Sequence, residues 1–154
     1  MTAPVALITG AAKRVGACIA RRLHAAGYDL ALHHRASAAD MQALVAELEA
    51  ARAGSTLVLS CELADDDALP GLVADTVARF GRLDALVNNA SAFYPTPVGS
   101  ATSAQWDELF ASNARGPFFL AQAAAPHLRA AGGAIVNLAD IYGERPLKNH
   151  TIYC

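Results

Sequence analysis

The amino-acid sequence predicts an α/β fold in which helices cover both faces of a parallel β-sheet. Short apolar runs alternate with longer amphipathic segments along the 154 residues. The apolar runs lack a polar alternation, as expected for strands that are buried on both faces. Hydrophobic residues make up 54% of the chain and charged residues 17%, which is enough for a core and shows no sign of disorder. The length fits one domain over residues 1–154.

Five strands and four helices are predicted in strict alternation. The first strand is Val5–Ile8, and a turn over 9–16 leads into a helix over 15–26 that ends at Gly27. The remaining strands are expected at 28–33, 56–60, 84–88 and 134–138. The remaining helices are expected at 38–53 with Ser37 as N-cap, from Asp65 to about residue 80 with Asp65, Asp66 and Asp67 at its start, and at 103–130. Right-handed crossovers between such strands produce a doubly wound sheet.

The turn after the first strand has the features of a phosphate-binding turn. It reads TGAAKRVG over residues 9–16, between a strand and a helix. Glycine lets backbone N–H groups approach a pyrophosphate, and the helix N-terminus favours negative charge. The alternative is a tight turn without a ligand, because the spacing is not GxGxxG. The predicted nucleotide-binding residues here are Gly10, Lys13, Arg14, Val15 and Gly16.

The end of the second strand favours NADPH over NADH. An NAD-binding protein of this type places an acidic residue there, roughly 20 residues after the glycines. Here the chain has His33, His34 and Arg35, followed by Ser37, with no acid. Arg35 can make paired hydrogen bonds to a 2′-phosphate, with His34 and Ser37 beside it. The alternative is that Arg35 is a solvated loop charge and that the histidines cover the sheet edge.

The third and fourth strands end in polar residues that can face the same ligand. Glu62 can accept a hydrogen bond from an adenine amino group, with the Leu63 backbone beside it, although Glu62 can equally be a surface charge. Asn88, Asn89 and Ala90 follow the fourth strand. Amides there suit hydrogen bonding across the carboxyl edge, where ligands bind in such sheets. An Asn-rich turn is the alternative to ligand binding by Asn89 and Ala90.

The long helix carries one polar residue on an apolar stripe that includes Trp106 as a predicted core residue. Asn113 lies where a hydrophobic residue is expected, and a buried amide needs partners. Pro117 has no N–H to close the helical bond to the Asn113 carbonyl. We therefore expect a local kink and a free Asn113 carbonyl that can hold a water. The alternative is a simple helix break at Gly116 and Pro117.

Asp140 and Tyr153 follow the fifth strand. A tyrosine can act as a general acid if a nearby cation lowers its pKa, but no Lys or Arg adjoins Tyr153 in this chain. These two residues alone favour an exposed loop aspartate and a packed tyrosine over catalysis.

Taken together, the motifs resemble the short-chain dehydrogenase/reductase family along the whole chain. Residues 9–16 match its glycine motif, Asn88-Asn89-Ala90 its NNAG, and Tyr153 the start of its YxxxK. The catalytic group of that family is Asn, Ser, Tyr and Lys. Asn113 and Tyr153 match, whereas Asp140 occupies the serine position. This departure, together with Arg14, the segment 34–37 and the segment 91–94, looks like the pteridine reductase branch.

The resemblance implies a doubly wound, Rossmann-type sheet with strand order 3-2-1-4-5 in this portion, and NADPH-dependent reduction of a pterin or dihydropterin. Phe93 would stack on the pterin, although it can also be simple loop packing. Arg14 would contact both pyrophosphate and pterin, and Asp140 with Tyr153 would relay a proton to a ring nitrogen. The alternatives are an NADPH-dependent reductase of a carbonyl or enoyl substrate, and a truncated, non-catalytic nucleotide-binding module.

Family members run to roughly 250 residues, about the upper range for one domain. The chain ends before the Lys expected four residues after Tyr153, so we expect it to be a portion of a longer protein whose last strands are missing here. At full length the resemblance implies a homo-oligomer, either a dimer or a tetramer.

The net charge of −2 gives no support for a nucleic-acid partner. No apolar run reaches about 18 residues, so no membrane span is expected. With no leader pattern and no metal-like cysteine spacing, we expect a cytoplasmic protein in which Cys18, Cys61 and Cys154 are reduced thiols.

Overall fold

Five parallel strands form one sheet in the computed structural model, which describes residues 2–154. The order is β3-β2-β1-β4-β5, which confirms the predicted Rossmann-type topology. The central strand β1 pairs with β2 from Val5 opposite Asp29 and with β4 from Ala6 opposite Ala85. The strands are β1 Val5–Ile8, β2 Asp29–His34, β3 Thr56–Ser60, β4 Ala85–Asn88 and β5 Ala134–Asn137.

Hydrophobic side chains fill both faces of the sheet. On one face, Leu7 and Leu86 pack against α3 (Leu69–Phe80) and α5 (Gly116–Ala131). On the other face, Ile8 and Leu32 pack against α1 (Arg14–Ala25) and α2 (Ala38–Ala51). This two-sided burial explains the unbroken apolar strands, and it leaves the carboxyl ends of the strands as the open edge of the fold.

The third helix begins later than predicted. α3 starts at Leu69, so Asp65, Asp66 and Asp67 lie in the turn before it and not in its first turn. The Asp65 side chain accepts a hydrogen bond from the Asp67 N–H at 3.2 Å, a local turn that competes with helix formation. Pro70 then marks the first turn of the helix, where its missing N–H leaves no bond unmade.

The long predicted helix over 103–130 is divided by a wider turn. α4 (Ser103–Phe110) passes into a π-helical turn over Ala111–Arg115 before α5 begins. The irregularity predicted beside Pro117 is therefore present as a π-helical turn that ends just before Gly116 and Pro117. A free Asn113 carbonyl stays a prediction.

The assignment of Trp106 to the core is wrong. Its side chain is 51% exposed and stacks on Phe110, with 4.2 Å between the ring centroids. A π-helical turn holds one residue more than an α-helical turn, and each residue rotates the helix face by about 100°. Side chains before and after the π-helical turn therefore no longer share the face that a regular helix would give them.

None of the helices in residues 2–154 combines the length and the hydropathy that crossing a membrane requires.

Candidate active site

A cleft of about 610 Å³ opens at the carboxyl edge of the sheet. Its walls come from the turn after β1, the ends of β2 and β3, and the loops after β4 and β5. It is lined by all but one of the predicted site residues: Gly10, Lys13, Arg14, Val15, Gly16, His34, Arg35, Ser37, Glu62, Leu63, Asn89, Ala90, Phe93, Asp140 and Tyr153. The exception is Asn113, which lines an adjoining cleft of about 540 Å³ that shares Asp140 and Tyr153.

The glycine turn brings the first amides of α1 to this cleft. Gly10 has φ +62°, and a Cβ on Gly16 would lie 2.2 Å from the Gly10 carbonyl oxygen, so both positions require glycine. The Ala17 N–H donates to the Lys13 carbonyl at 3.3 Å, which leaves the N–H groups of residues 14–16 without helical partners. No side chain caps this helix end. The turn therefore offers free N–H donors to an anion.

Thr9 and Asn89 hold the turn in place. The Asn89 side-chain amide donates to the carbonyls of Thr9 at 2.9 Å and Gly10 at 3.0 Å. The Thr9 hydroxyl oxygen accepts from the N–H groups of Asn89 and Ala90, each at 3.0 Å. Both side-chain N–H groups of Asn89 are thus used to build the turn. Thr9, which is 1% exposed, was not singled out from the sequence, where its position before the first glycine was the available signal.

His33 is the second supporting residue that sequence reasoning missed. It is 1% exposed and so is not an exposed cover of the sheet edge. Its Nδ1 accepts a hydrogen bond from the Gly10 N–H at 3.4 Å, and its Nε2 lies 3.1 Å from the Cys61 carbonyl oxygen. Burial lowers its pKa, so the ring is neutral in this position.

Two basic side chains at the nucleotide end of the cleft form ion pairs with exposed carboxylates. Arg35 Nη1 lies 3.5 Å from Glu62 Oε2, and Lys13 Nζ lies 2.9 Å from Asp40 Oδ2. Such exposed pairs contribute little free energy, so both cations can turn to a phosphate. Ser37 is the N-cap of α2 as predicted, but its hydroxyl makes no capping bond.

Asp140 and Tyr153 meet at the other end of the cleft. The Tyr153 hydroxyl donates to Asp140 Oδ2 at 3.1 Å, and the Tyr142 N–H donates to Asp140 Oδ1 at 3.1 Å. Burial raises the pKa of Tyr153, and the hydrogen bond to Asp140 and its charge act in the same direction, whereas a Ser91 hydrogen bond acts against them. Tyr153 is therefore protonated and in position to donate. Asp140 lies exposed in its loop and the Tyr153 ring packs edge-on against Phe93, as the sequence-based alternative expected, and the hydrogen bond joins the two side chains.

The Asn113 side chain makes two hydrogen bonds to the backbone of the loop after β4. Its Oδ1 accepts from the Ala92 N–H at 2.9 Å, and its Nδ2 donates to the Ala92 carbonyl at 2.8 Å. This pair of bonds satisfies the half-buried amide and fixes the loop that carries Phe93.

Phe93 presents an aromatic surface beside the Asp140–Tyr153 pair. Its side chain is 48% exposed. One face stacks on the His150 ring, with 4.6 Å between centroids and 12° between planes. The Tyr153 ring meets it edge-on, with 4.8 Å between centroids. His150 was not singled out from the sequence, because nothing in a turn-rich segment shows which ring it will meet.

A comparison with family models decides the relationship of this chain to known proteins. Residues 4–154 match the model described as short chain dehydrogenase. The chain belongs to the short-chain dehydrogenase family. The resemblance inferred from the motifs is thereby confirmed.

Curated relatives of this chain include several named reductases. It is 38% identical over 190 residues to pteridine reductase 1 of Leishmania tarentolae, covering 99% of this chain and 66% of the relative. It is 34% identical over 139 residues to a 3-oxoacyl-[acyl-carrier-protein] reductase of Staphylococcus aureus, covering 90% and 56%. A D-threitol dehydrogenase of Mycolicibacterium smegmatis is 36% identical over 151 residues, covering 97% and 57%. The chain spans about half to two thirds of the length of these relatives.

The cleft has two chemically distinct ends. One end offers helix N–H groups and the cations of Lys13, Arg14 and Arg35. The other end offers a hydroxyl and a carboxylate in contact, beside an exposed aromatic ring. Such an arrangement can bind an anionic dinucleotide at one end and transfer a proton at the other.

Proposed function

We propose that this protein binds NADPH in the cleft and reduces the C=N bond of a pterin or dihydropterin. The observation that carries the proposal is the hydrogen bond between the Tyr153 hydroxyl and the Asp140 carboxylate, 3.1 Å long, beside the exposed ring of Phe93. The relative named pteridine reductase 1 also supports it.

The residues at the nucleotide end fit a dinucleotide. The absence of Cβ atoms at Gly10 and Gly16 brings the start of α1 close to the cleft, and its free N–H groups suit a pyrophosphate. Arg14 and Lys13 add positive charge there. When bound, NADPH would supply a hydride to the substrate.

Arg35, His34 and Ser37 are the residues that favour NADPH over NADH. Within residues 2–154, the Arg35 guanidinium forms an ion pair with Glu62 alone, at 3.5 Å and on the exposed surface, so a 2′-phosphate can replace that carboxylate as its partner. The Ser37 hydroxyl makes no capping bond and remains available as a donor. Glu62 would then be free to accept from an adenine amino group, with the Leu63 backbone beside it.

The Asp140–Tyr153 pair provides the proton that reduction of a C=N bond needs. Hydride adds to the carbon and a proton adds to the nitrogen, so charge is balanced. The Tyr153 hydroxyl proton, held 3.1 Å from Asp140 Oδ2, can pass to the ring nitrogen and be replaced by a proton that water supplies by way of the exposed Asp140. A carboxyl group suits a basic ring nitrogen, whereas a carbonyl oxygen needs a neutral donor to polarise it.

Reduction of a carbonyl is the second candidate. The identity to 3-oxoacyl-[acyl-carrier-protein] reductase supports it. Asp140 and Phe93 favour the pterin, because a carboxylate beside a carbonyl oxygen would repel the negative charge that develops there.

Replacing Asp140 with Ser distinguishes the two candidates. In the full-length protein, we expect D140S to lower kcat/KM for a dihydropterin about 100-fold, the usual scale for loss of a general acid. Turnover of a 3-oxoacyl thioester should not fall. Pterin turnover in D140S close to the wild-type value would contradict the assigned role of Asp140.

Replacing Arg35 with Ala tests the cofactor assignment separately. We expect NADP⁺ affinity to fall about tenfold, the effect of one lost charge-assisted contact, while NAD⁺ affinity stays unchanged. The control is Arg21→Ala, because Arg21 is also an exposed arginine paired with a glutamate, Glu47, but lies outside the cleft. Equal effects of R35A on both nucleotides would remove the argument for NADPH.

A further inference from the structure

His33 links the glycine turn to the two strands beside it. Its Nδ1 accepts from the Gly10 N–H at 3.4 Å, and its backbone carbonyl accepts from the Ala11 N–H at 2.9 Å. Its Nε2 lies 3.1 Å from the Cys61 carbonyl oxygen at the end of β3. One residue therefore holds two successive N–H groups of the turn.

These contacts fix the ring in one neutral form. The Gly10 N–H can donate only if Nδ1 carries no proton, so the proton is on Nε2 and is donated to the Cys61 carbonyl. Both ring nitrogens are then satisfied within a site that is 1% exposed. A second proton would place an N–H on Nδ1 facing the Gly10 N–H, where no acceptor is present.

Gly10 passes any displacement on to the start of α1. Its carbonyl accepts from the Asn89 side chain at 3.0 Å, and Gly16 packs so closely on the same carbonyl that a Cβ there would lie 2.2 Å away. A shift of Gly10 therefore shifts the N–H groups that face the cleft.

We propose that His33 is a positioning residue for the nucleotide turn: its neutral ring holds Gly10 in place, and its protonation releases Gly10 and weakens nucleotide binding. The inference rests on the proposed binding of NADPH in this cleft and adds a dependence on pH through His33, which lines the same cleft.

Burial is the largest influence on the His33 pKa and lowers it. The Cys61 carbonyl and Glu62 raise the pKa, whereas the neighbouring His34 lowers it. The Cys61 thiol also faces the ring, with Sγ 3.6 Å from Nε2. In the turn, Lys13 and Arg14 add positive charge to the same cleft. The ring is therefore neutral at neutral pH and gains its proton only in acid.

The test measures NADP⁺ affinity of the full-length protein by calorimetry at about pH 7.5 and about pH 4.5, because burial places the titration of His33 below the ordinary histidine range. In His33→Asn the amide oxygen can accept from Gly10 but cannot titrate. Because the 2′-phosphate of NADP⁺ itself titrates near pH 6, H33N also measures the loss that is common to both proteins. We expect the wild type to lose about tenfold more affinity than H33N between the two pH values, the scale of one buried bond and its unmet partner.

His24→Asn is the matched control, since His24 is also a buried histidine, but it lies outside the cleft and its Nε2 lies 2.8 Å from the Ser55 hydroxyl oxygen. Its affinity should follow the wild type at both pH values. Equal losses in wild type and H33N would overturn the role of His33 while leaving the proposed function intact. No NADP⁺ binding by the wild type at either pH would overturn both.

A measurement on the wild type keeps the test independent of how H33N folds. The ¹⁵N shifts of the His33 ring should show the proton on Nε2 at neutral pH, and the Gly10 amide signal should move as His33 titrates. A proton on Nδ1, or a Gly10 amide that does not respond, would contradict the inference.

Discussion

Substitution of Gly16 by Ala tests the packing that brings α1 to the cleft. The added Cβ would lie 2.2 Å from the Gly10 carbonyl oxygen and 2.6 Å from Asn89 Nδ2. Ordinary contacts of this kind are about 3.5 Å, so the turn or the helix must move by about 1 Å. Overpacking of this kind costs about 1–3 kcal/mol, which outweighs the gain of about 1 kcal/mol that Ala has over Gly in a helix.

We expect G16A to lose more in binding than in stability. Displacing the helix N-terminus by about 1 Å removes the alignment of its N–H groups, and NADP⁺ affinity should fall at least about tenfold, the effect of losing one to two such hydrogen bonds. Urea unfolding measures the stability, and calorimetric titration with NADP⁺ measures the affinity.

Gly71→Ala is the matched control. Gly71 is the third residue of α3, as Gly16 is the third residue of α1, but a Cβ there meets nothing within 4 Å. G71A should stabilise the protein by about 0.5–1 kcal/mol and leave NADP⁺ affinity unchanged. If G16A is as stable as G71A and binds NADP⁺ as the wild type does, the close packing of Gly16 on Gly10 does not position α1.

Two further substitutions test the loop after β4 and the base of the sheet. Asn113→Ala removes both hydrogen bonds to Ala92, so KM for a dihydropterin should rise about tenfold while NADP⁺ affinity stays the same. Weaker binding of both the dihydropterin and NADP⁺ would contradict a role confined to this loop. Asp84 accepts from the Val5 N–H and from Arg82 Nε, each at 2.8 Å, and D84N should destabilise the protein by about 1–3 kcal/mol in urea at neutral pH. Burial opposes the charge of Asp84, but the hydrogen bonds from Arg82 and Val5 outweigh burial and lower the Asp84 pKa in the folded protein. The ionised group therefore stabilises the fold above its unfolded pKa of 3.8. That contribution is lost as the pH falls through the lower folded pKa. The wild type should therefore lose more stability than D84N on acidification, and equal acid sensitivity would count against this assignment.

The fold could be predicted because its main signals are local. Apolar runs marked each strand to within a residue, and Gly27 and Ser37 marked helix boundaries closely. The start of α3 was missed because the Asp65 side chain competes with the helix for the Asp67 N–H. The exposed position of Trp106 was missed because the π-helical turn changes which residues share a face, and its extra residue leaves no clear mark in the periodicity.

The residues that line the cleft were also predictable, because the carboxyl ends of parallel strands lie at one edge of the sheet. The supporting residues were not. Thr9 and His33 act through hydrogen bonds to groups 20 to 80 positions away in the chain, and such partners are set by strand pairing that the sequence only implies. The contact of Asp140 with Tyr153, 13 positions apart, depends on the path of the chain between them, which no periodicity describes.

The most direct test of the account compares substrates in the full-length protein. Steady-state oxidation of NADPH is followed with a dihydropterin and with a 3-oxoacyl thioester, and kcat/KM is obtained for each. We expect a value at least about tenfold higher for the dihydropterin, equivalent to about 1.4 kcal/mol of preferential transition-state binding. A higher value for the thioester, or no NADPH oxidation with the dihydropterin, would contradict it.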